Sequence, residues 1–122
     1  MGWFVTGAIV AGVGVVLGAF GAHGLKTRVS PEMLAIFETG VRYQMYHAFG
    51  LLAVGLAASR WGGGWVNAAG WLFLFGVTIF SGSLYVMTVS GVRWLGAITP
   101  IGGLLMILGW GALAIGVMRA GG

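Results

Sequence analysis

The stretch WFVTGAIVAGVGVVLGAFGA, Trp3 to Ala22, carries no charged side chain. Coiled as an α-helix with a rise of about 1.5 Å per residue, it matches a hydrocarbon core of about 30 Å. It reads as a membrane span. The first basic residue is Lys26, and the apolar run is longer than the core of a secretory signal, so the span is expected to stay rather than be cleaved.

Composition extends that reading to the whole chain. Charged residues make up 7% of its 122 residues and hydrophobic ones 59%, against the roughly one-quarter charged share of a soluble domain. Lipid is therefore the expected solvent, and the length leaves room for one membrane domain, 1–122. Spans are expected over about 3–22, 43–59, 67–90 and 95–118, which makes the chain an all-α integral membrane four-helix bundle.

Between the first two spans lies an interfacial segment, about 23–42, carrying Lys26, Arg28, Glu32, Glu38 and Arg42. Ser30-Pro31-Glu32 is a helix start: a serine N-cap, a proline at the first helical position and a carboxylate at the positive end of the helix dipole. Leu34, Phe37 and Val41 follow at helical spacing, so helix two opens on amphipathic or polar turns. A bend is expected at Gly40, and an i,i+4 ion pair between Glu38 and Arg42. Arg60 with Gly62-Gly63-Gly64, and then Arg93, mark the later turns, and Pro100 falls in the first turns of span four.

Trp3, Trp61, Trp65, Trp71, Trp94 and Trp110 mostly fall near span ends, where amphipathic rings settle at headgroup level. Lys26, Arg28, Arg42 and Arg93 lie on one side against Arg60 and Arg119 on the other, so both termini are expected to face away from the cytoplasm. Gly7, Gly14 and Gly21 recur every seven residues in span one, as do Gly102, Gly109 and Gly116 in span four, and Gly18 makes a GxxxG pair with Gly14. Such smooth faces let backbones approach, and van der Waals contact is what holds helices together in lipid. Packing within the bundle is the expected use, with self-association as the alternative.

Polar residues are few. The densest group, Glu38, Thr39, Arg42, Tyr43, Gln44, Tyr46 and His47, lies at the entrance to span two. Helical spacing aligns Glu38, Arg42 and Tyr46 on one strip and Thr39, Tyr43 and His47 on the next. An arginine in lipid costs about 2.5 to 3.5 kcal/mol on insertion scales, so the band needs partners. Two readings stand: an interfacial anchor whose Tyr and Arg reach the headgroups, or a site for a lipid headgroup, a quinone-like molecule or a small solute.

Ser81, Ser83 and Tyr85 sit in Phe80-Ser81-Gly82-Ser83-Leu84-Tyr85 within span three, and Thr99 precedes Pro100 in span four. His23 and His47 fall near one membrane face and could meet around a haem or a metal. Two ligands in a chain without Cys or Asp make structural histidines the better expectation, so no metal or cofactor is expected. A neutral His47 bonded to Tyr43 or Thr39 would satisfy its ring. Lack of Asp argues against a serine triad, and lack of Cys rules out disulfides and thiolate sites. Six Lys and Arg, scattered singly, form no nucleic-acid patch.

Four ordered segments resemble the domain-of-unknown-function 423 family, which the eukaryotic transmembrane protein 256 family also represents. They are Gly18-Ala19-Phe20-Gly21-Ala22-His23-Gly24-Leu25, Thr39-Gly40-Val41-Arg42-Tyr43-Gln44-Met45-Tyr46-His47-Ala48, Phe80-Ser81-Gly82-Ser83-Leu84-Tyr85 and Trp94-Leu95-Gly96-Ala97-Ile98-Thr99-Pro100-Ile101-Gly102-Gly103. Together they span nearly the whole chain. The resemblance implies a compact multi-span protein of the bacterial inner membrane or the mitochondrion, with no established activity and no catalytic residues. It groups His23, Arg42, Tyr43, Gln44, His47, Ser81, Ser83, Tyr85 and Thr99 in one pattern.

With two carboxylates and two histidines the chain has too few groups for most hydrolytic or redox schemes. The expectation is a non-enzymatic membrane protein of unknown molecular function: an interaction or assembly subunit, or a binder of a lipid-like ligand. Its expected partners are membrane lipid and either another copy of itself or another membrane protein. The alternative is a small oligomeric transporter or channel in which His23, His47, Ser81, Ser83 and Thr99 converge on a water-filled path. A haem or metal protein is the least expected.

Overall fold

The computed structural model describes residues 2–121, and all regular structure among them is helical. Helix α1 runs Gly2–Val16, widens into a π-helical turn at Leu17–Gly21 and closes as Ala22–Leu25. Ser30 caps α2 (Pro31–Arg60): its hydroxyl oxygen accepts from the Met33 amide at 3.1 Å, and Pro31 takes the first turn, where no amide donor is needed. Helix α3 is Gly64–Ser90, and a 3-10 turn, Arg93–Ala97, leads into α4 (Thr99–Gly121). Pro100 sits at the start of α4, where it interrupts no internal hydrogen bond. Gly91, at φ 73°, supplies the left-handed residue that ends α3, its amide bonding the Met87 carbonyl at 2.8 Å.

Each helix runs antiparallel to the next. Gly7 faces Ala48 while Gly21 faces Phe37; Gly40 meets Tyr85 while Gly50 meets Phe73; Gly76 meets Met106 while Gly116 meets Val66. Helices α2 and α3 form the central pair, with α1 laid against α2 and α4 against α3. Both ends of the described chain therefore lie at the Arg60 end of the bundle. The stretches Gly2–Leu25, Gly64–Ser90 and Arg93–Ala120 are long and apolar enough to cross a membrane. Helix α2 is the fourth, about 45 Å long at 1.5 Å per residue, and it carries Glu32, Glu38, Arg42 and Arg60.

Helix α2 runs without interruption through Gly40, where a bend was expected. Gly40 makes room for an aromatic ring: a Cβ there would stand 2.8 Å from a ring carbon of Tyr85. The main core joins Leu51, Val54 and Ala57 of α2, Val66, Ala69 and Phe73 of α3, and Ala112 of α4. A second cluster, Met33, Leu84 and Met87, closes the other end.

Trp3, Trp61, Trp65 and Trp71 gather at the end holding the termini, and Trp94 stands at the other end. Trp3 donates from Nε1 to Asn67 Oδ1 at 3.0 Å and meets Trp71 edge-on at 5.0 Å. The Arg60 and Arg119 guanidiniums lie over the rings of Trp61 and Trp65 at 5.5 and 5.8 Å. Trp110 departs from that pattern. It lies halfway along α4 and bonds to a side chain of α2.

Candidate functional site

Acyl chains offer no hydrogen bonds, so a polar side chain within the bundle must find its partner in the protein. Gln44 is buried in α2; its Nε2 donates to the Val10 carbonyl of α1 at 2.9 Å, and its Oε1 accepts from the Tyr85 hydroxyl of α3 at 2.6 Å. Ser81 donates to the Gly40 carbonyl at 2.6 Å, tying α3 to α2. Ser83 pairs with Thr99 at 2.6 Å, tying α3 to α4. Buried Thr88 bonds the Leu84 carbonyl of its own helix at 2.8 Å and reaches the Met33 carbonyl at 3.4 Å. Among the described residues no buried side-chain nitrogen or oxygen is left without a partner.

His47 completes this seam. Its Nδ1 lies 2.8 Å from the Tyr43 carbonyl oxygen, which can only accept, and its Nε2 lies 3.0 Å from Trp110 Nε1–H, which can only donate. Neutral imidazole protonated on Nδ1 is the form that suits both. Tyr43 thus bonds His47 through its backbone, and Thr39 takes no part: its hydroxyl donates to the Ala35 carbonyl at 3.0 Å. The other partner, Trp110, is 63 residues away in sequence, and no local pattern announces it.

The band from Glu38 to His47 therefore divides. Gln44 and His47 face inward, while Glu38, Arg42 and Tyr46 are exposed and Tyr43 stands at a rim. Glu38 and Arg42 make no ion pair. Among the described residues the ion pair is Arg93 to Glu32 at 2.9 Å, joining the turn before α4 to the start of α2. Glu38 and Arg42 flank a shallow notch with Gly18 and Ala22 of α1.

His23 is exposed at the end of α1 and does not meet His47. Gly21 packs beside Phe37, and His47 lies ten positions further along α2, roughly 15 Å along the axis. No group of three or more His, Cys, Asp or Glu that could hold a metal occurs among the described residues. Nor do His23, His47, Ser81, Ser83 and Thr99 surround one path. The last four are bonded in separate places, to Trp110, to Gly40 and to each other.

The glycines lie where helices touch. A Cβ on Gly7 would stand 2.8 Å from the Ala48 carbonyl oxygen, and one on Gly102 would fall against the Phe80 backbone. Gly14 faces the Met45 side chain, Gly18 Val41, Gly21 Phe37, Gly109 the Phe73 ring and Gly116 Val66. Gly55, against the Phe4 backbone, and Gly76, where a Cβ would stand 3.0 Å from the Gly102 carbonyl oxygen, are equally tight and fall outside the seven-residue repeats.

Of the clefts beside the central helix pair, two are lined in part by the bonded polar side chains. One, about 240 Å³, lies between α1, α2 and α3 beside Val10, Gln44, Ser81 and Tyr85, and the polar side chains on its wall are already bonded. The other, about 350 Å³, lies between α2, α3 and α4 and is lined by Tyr43, His47, Phe80, Gly103, Met106, Ile107 and Trp110. Tyr43 and Phe80 pack at 4.8 Å, and Trp110 lies 5.8 Å from the His47 ring and 4.6 Å from Phe73. Both ring nitrogens of His47 and the Trp110 N–H are engaged. The Tyr43 hydroxyl has no hydrogen-bond partner among the described residues, which leaves it as the cleft's free donor.

The ordered segments that supply these side chains match a family model described as a protein of unknown function (DUF423) over residues 17–103. The chain belongs to that family. The UPF0382 membrane protein of Staphylococcus saprophyticus is 46% identical over 96% of this chain and 97% of its own length. A Staphylococcus epidermidis relative of the same description is 48% identical over 98% of each, and the UPF0382 membrane protein YwdK of Bacillus subtilis 44% over 96% of each. No solved structure matches the chain. The DUF423 match takes in Tyr43, His47, Phe80 and Gly103 of the larger cleft and stops before Trp110. Bacterial relatives named as membrane proteins, together with three apolar spans, make this DUF423 chain a membrane protein.

Proposed function

We propose that this DUF423 protein is non-enzymatic and holds a lipid-like ligand in the lateral cleft between α2, α3 and α4. The observation that carries the reading is that cleft: about 350 Å³, with aromatic walls and exposed residues Ile107 and Trp110 at its rim. Apolar walls with one free hydroxyl suit an amphiphile, whereas nucleophilic chemistry would need a base beside an attacking group. A water-filled path is disfavoured because Ser81, Ser83, Thr99 and His47 already use their hydrogen bonds within the bundle.

The test is mass spectrometry of lipid extracts from protein purified in mild detergent. Wild-type protein should carry a lipid-like molecule at near-stoichiometric level. Gly103→Leu should lose it, since a Cβ there meets only the Phe80 ring, at 3.8 Å, and the rest of the side chain enters the cleft. Equal retention by both proteins would overturn the reading.

The same reading sets the protein in the bacterial inner membrane with the Lys26, Arg28, Arg42 and Arg93 end toward the cytoplasm and both termini outside. Because the chain has no cysteine, Lys26→Cys and Gly64→Cys can each be probed in whole cells with a membrane-impermeant maleimide. Labelling at position 64 and protection at 26 are expected; the reverse would invert the topology.

A second reading, a subunit of a homo-oligomer or of a larger membrane assembly, is favoured by Gly12 on α1 and Gly111 on α4, which have open space around them on the outer face. Single-particle mass in nanodiscs distinguishes it: one copy per particle at every protein-to-lipid ratio, with no second protein, would count against it.

A further inference from the structure

Resting on the cleft-binding reading, we infer that the ligand is an uncharged, ring-headed lipid of the quinone class, its ring lodged beside Phe80 and Trp110 and a ring carbonyl accepting a hydrogen bond from Tyr43. Depth is the first argument. Trp110 lies eleven residues from each end of α4 (Thr99–Gly121), about 17 Å along the axis either way. Half a hydrocarbon core is about 15 Å. The cleft therefore opens near the bilayer centre, where phosphate headgroups do not reach.

Charge is the second argument. No charged side chain lines the cleft, and His47 is held neutral between the Tyr43 carbonyl and the Trp110 N–H. Arg42, next to Tyr43 in sequence, lines the separate notch with Gly18 and Ala22 of α1. An anionic or ammonium headgroup at this depth would have no counter-charge, which excludes phospholipids as head-first ligands.

The third argument is shape and donor count. A saturated acyl chain would use neither the aromatic wall nor the Tyr43 hydroxyl. A flat ring bearing carbonyl acceptors uses both, stacking or packing edge-on against Phe80 and Trp110 while accepting from Tyr43. An apolar tail has an exit past Met106 and Ile107, the latter exposed. Binding breaks and forms no covalent bond.

The experiment places the protein in nanodiscs of phosphatidylcholine and titrates a decyl-tailed benzoquinone and a decyl-tailed naphthoquinone, with decylbenzene as the ring without carbonyls. Saturable quenching of tryptophan fluorescence, lost in Trp110→Phe, is expected for at least one quinone and not for decylbenzene. Tyr43→Phe should raise the half-saturating mole fraction roughly 3- to 10-fold, the worth of one net hydrogen bond. Gly103→Leu should abolish saturation, and Ile107→Trp, which closes the cleft from an exposed position, should do the same without a change in the core. Wild-type quenching that is already linear, and unchanged by Gly103→Leu and Ile107→Trp, would overturn the inference. If quinones fail to saturate while both variants still shed a co-purified lipid, the quinone assignment falls and the cleft-binding reading stands. If neither variant changes what the protein carries, both fall.

Discussion

Helices α1 and α2 reverse the rule that governs proteins in water. The first stretch, Gly2–Leu25, reaches a mean hydropathy of 2.1 over its most apolar 18 residues, yet within Gly2–Val16 it buries only Gly7 and Gly14. Helix α2 carries the glutamates, a histidine and a glutamine, yet it buries residues along its whole length, from Met33 and Phe37 through Gln44 and His47 to Ala57. Acyl tails are as apolar as leucine, so an apolar side chain gains little by turning inward in a bilayer. What must turn inward is a polar group that needs a partner, or a glycine that lets two backbones meet. Between these two helices, the more apolar one faces lipid and the less apolar one is the more buried.

The largest effect should come from placing one substitution on each kind of surface. Gly102→Leu sets a side chain against the Phe80 backbone and within 2.6 Å of the Gly76 carbonyl oxygen, where no flexible tip can give way. A loss of about 3 kcal/mol is expected, the upper end of overpacking, seen as a collapsed thermal transition in detergent. Gly12→Leu points into open space on the outer face of α1 and should stay within about 0.5 kcal/mol. Equal losses would break the comparison between lipid-facing and core surfaces.

A smaller effect tests the seam. Gln44→Leu leaves the Tyr85 hydroxyl and the Val10 carbonyl without their partner, and should cost about 1 to 2 kcal/mol by reversible unfolding in mixed micelles. Adding Tyr85→Phe removes the stranded hydroxyl, so the double variant should lose less than the sum. The coupling is expected near 0.6 kcal/mol, typical of side-chain hydrogen bonds between membrane helices. Strict additivity would mean that the Gln44 to Tyr85 bond, at 2.6 Å, contributes nothing to holding α2 against α3.

Local signals were the legible ones. Ser30-Pro31-Glu32 announced the start of α2 because capping needs only neighbours in sequence. The glycine heptads fall on helix contacts because a repeat along one helix is itself a face. Long-range pairings were not legible. Nothing near His47 points to Trp110, 63 residues on, and a tryptophan in a membrane chain reads first as an interface anchor. Glu38 and Arg42 have the spacing of an ion pair, but i,i+4 geometry permits a pair without compelling one, and it was Glu32 that found a partner, in a different turn. The contacts of Gly40, clearing space for Tyr85 and offering Ser81 a carbonyl, were not legible because they depend on a helix about 41 residues away.

The smallest effect sharpens the comparison from its polar side. Glu32 and Arg93 are joined at 2.9 Å, yet their side chains are 64% and 70% exposed. An ion pair so open to solvent or headgroups gains little Coulomb energy and must immobilise two long side chains. Glu32 also stands in the first turn of α2, where its charge favours the helix dipole by a few tenths of a kcal/mol that salt screens. Glu32→Gln should therefore lower stability by no more than about 0.5 kcal/mol, and by less at high ionic strength. A loss well above 1 kcal/mol that salt does not reduce would mean that something covers this end in the membrane, a partner or a bound headgroup. The outer polar residues of α2 would then belong with Gln44 and His47 as groups that require a partner.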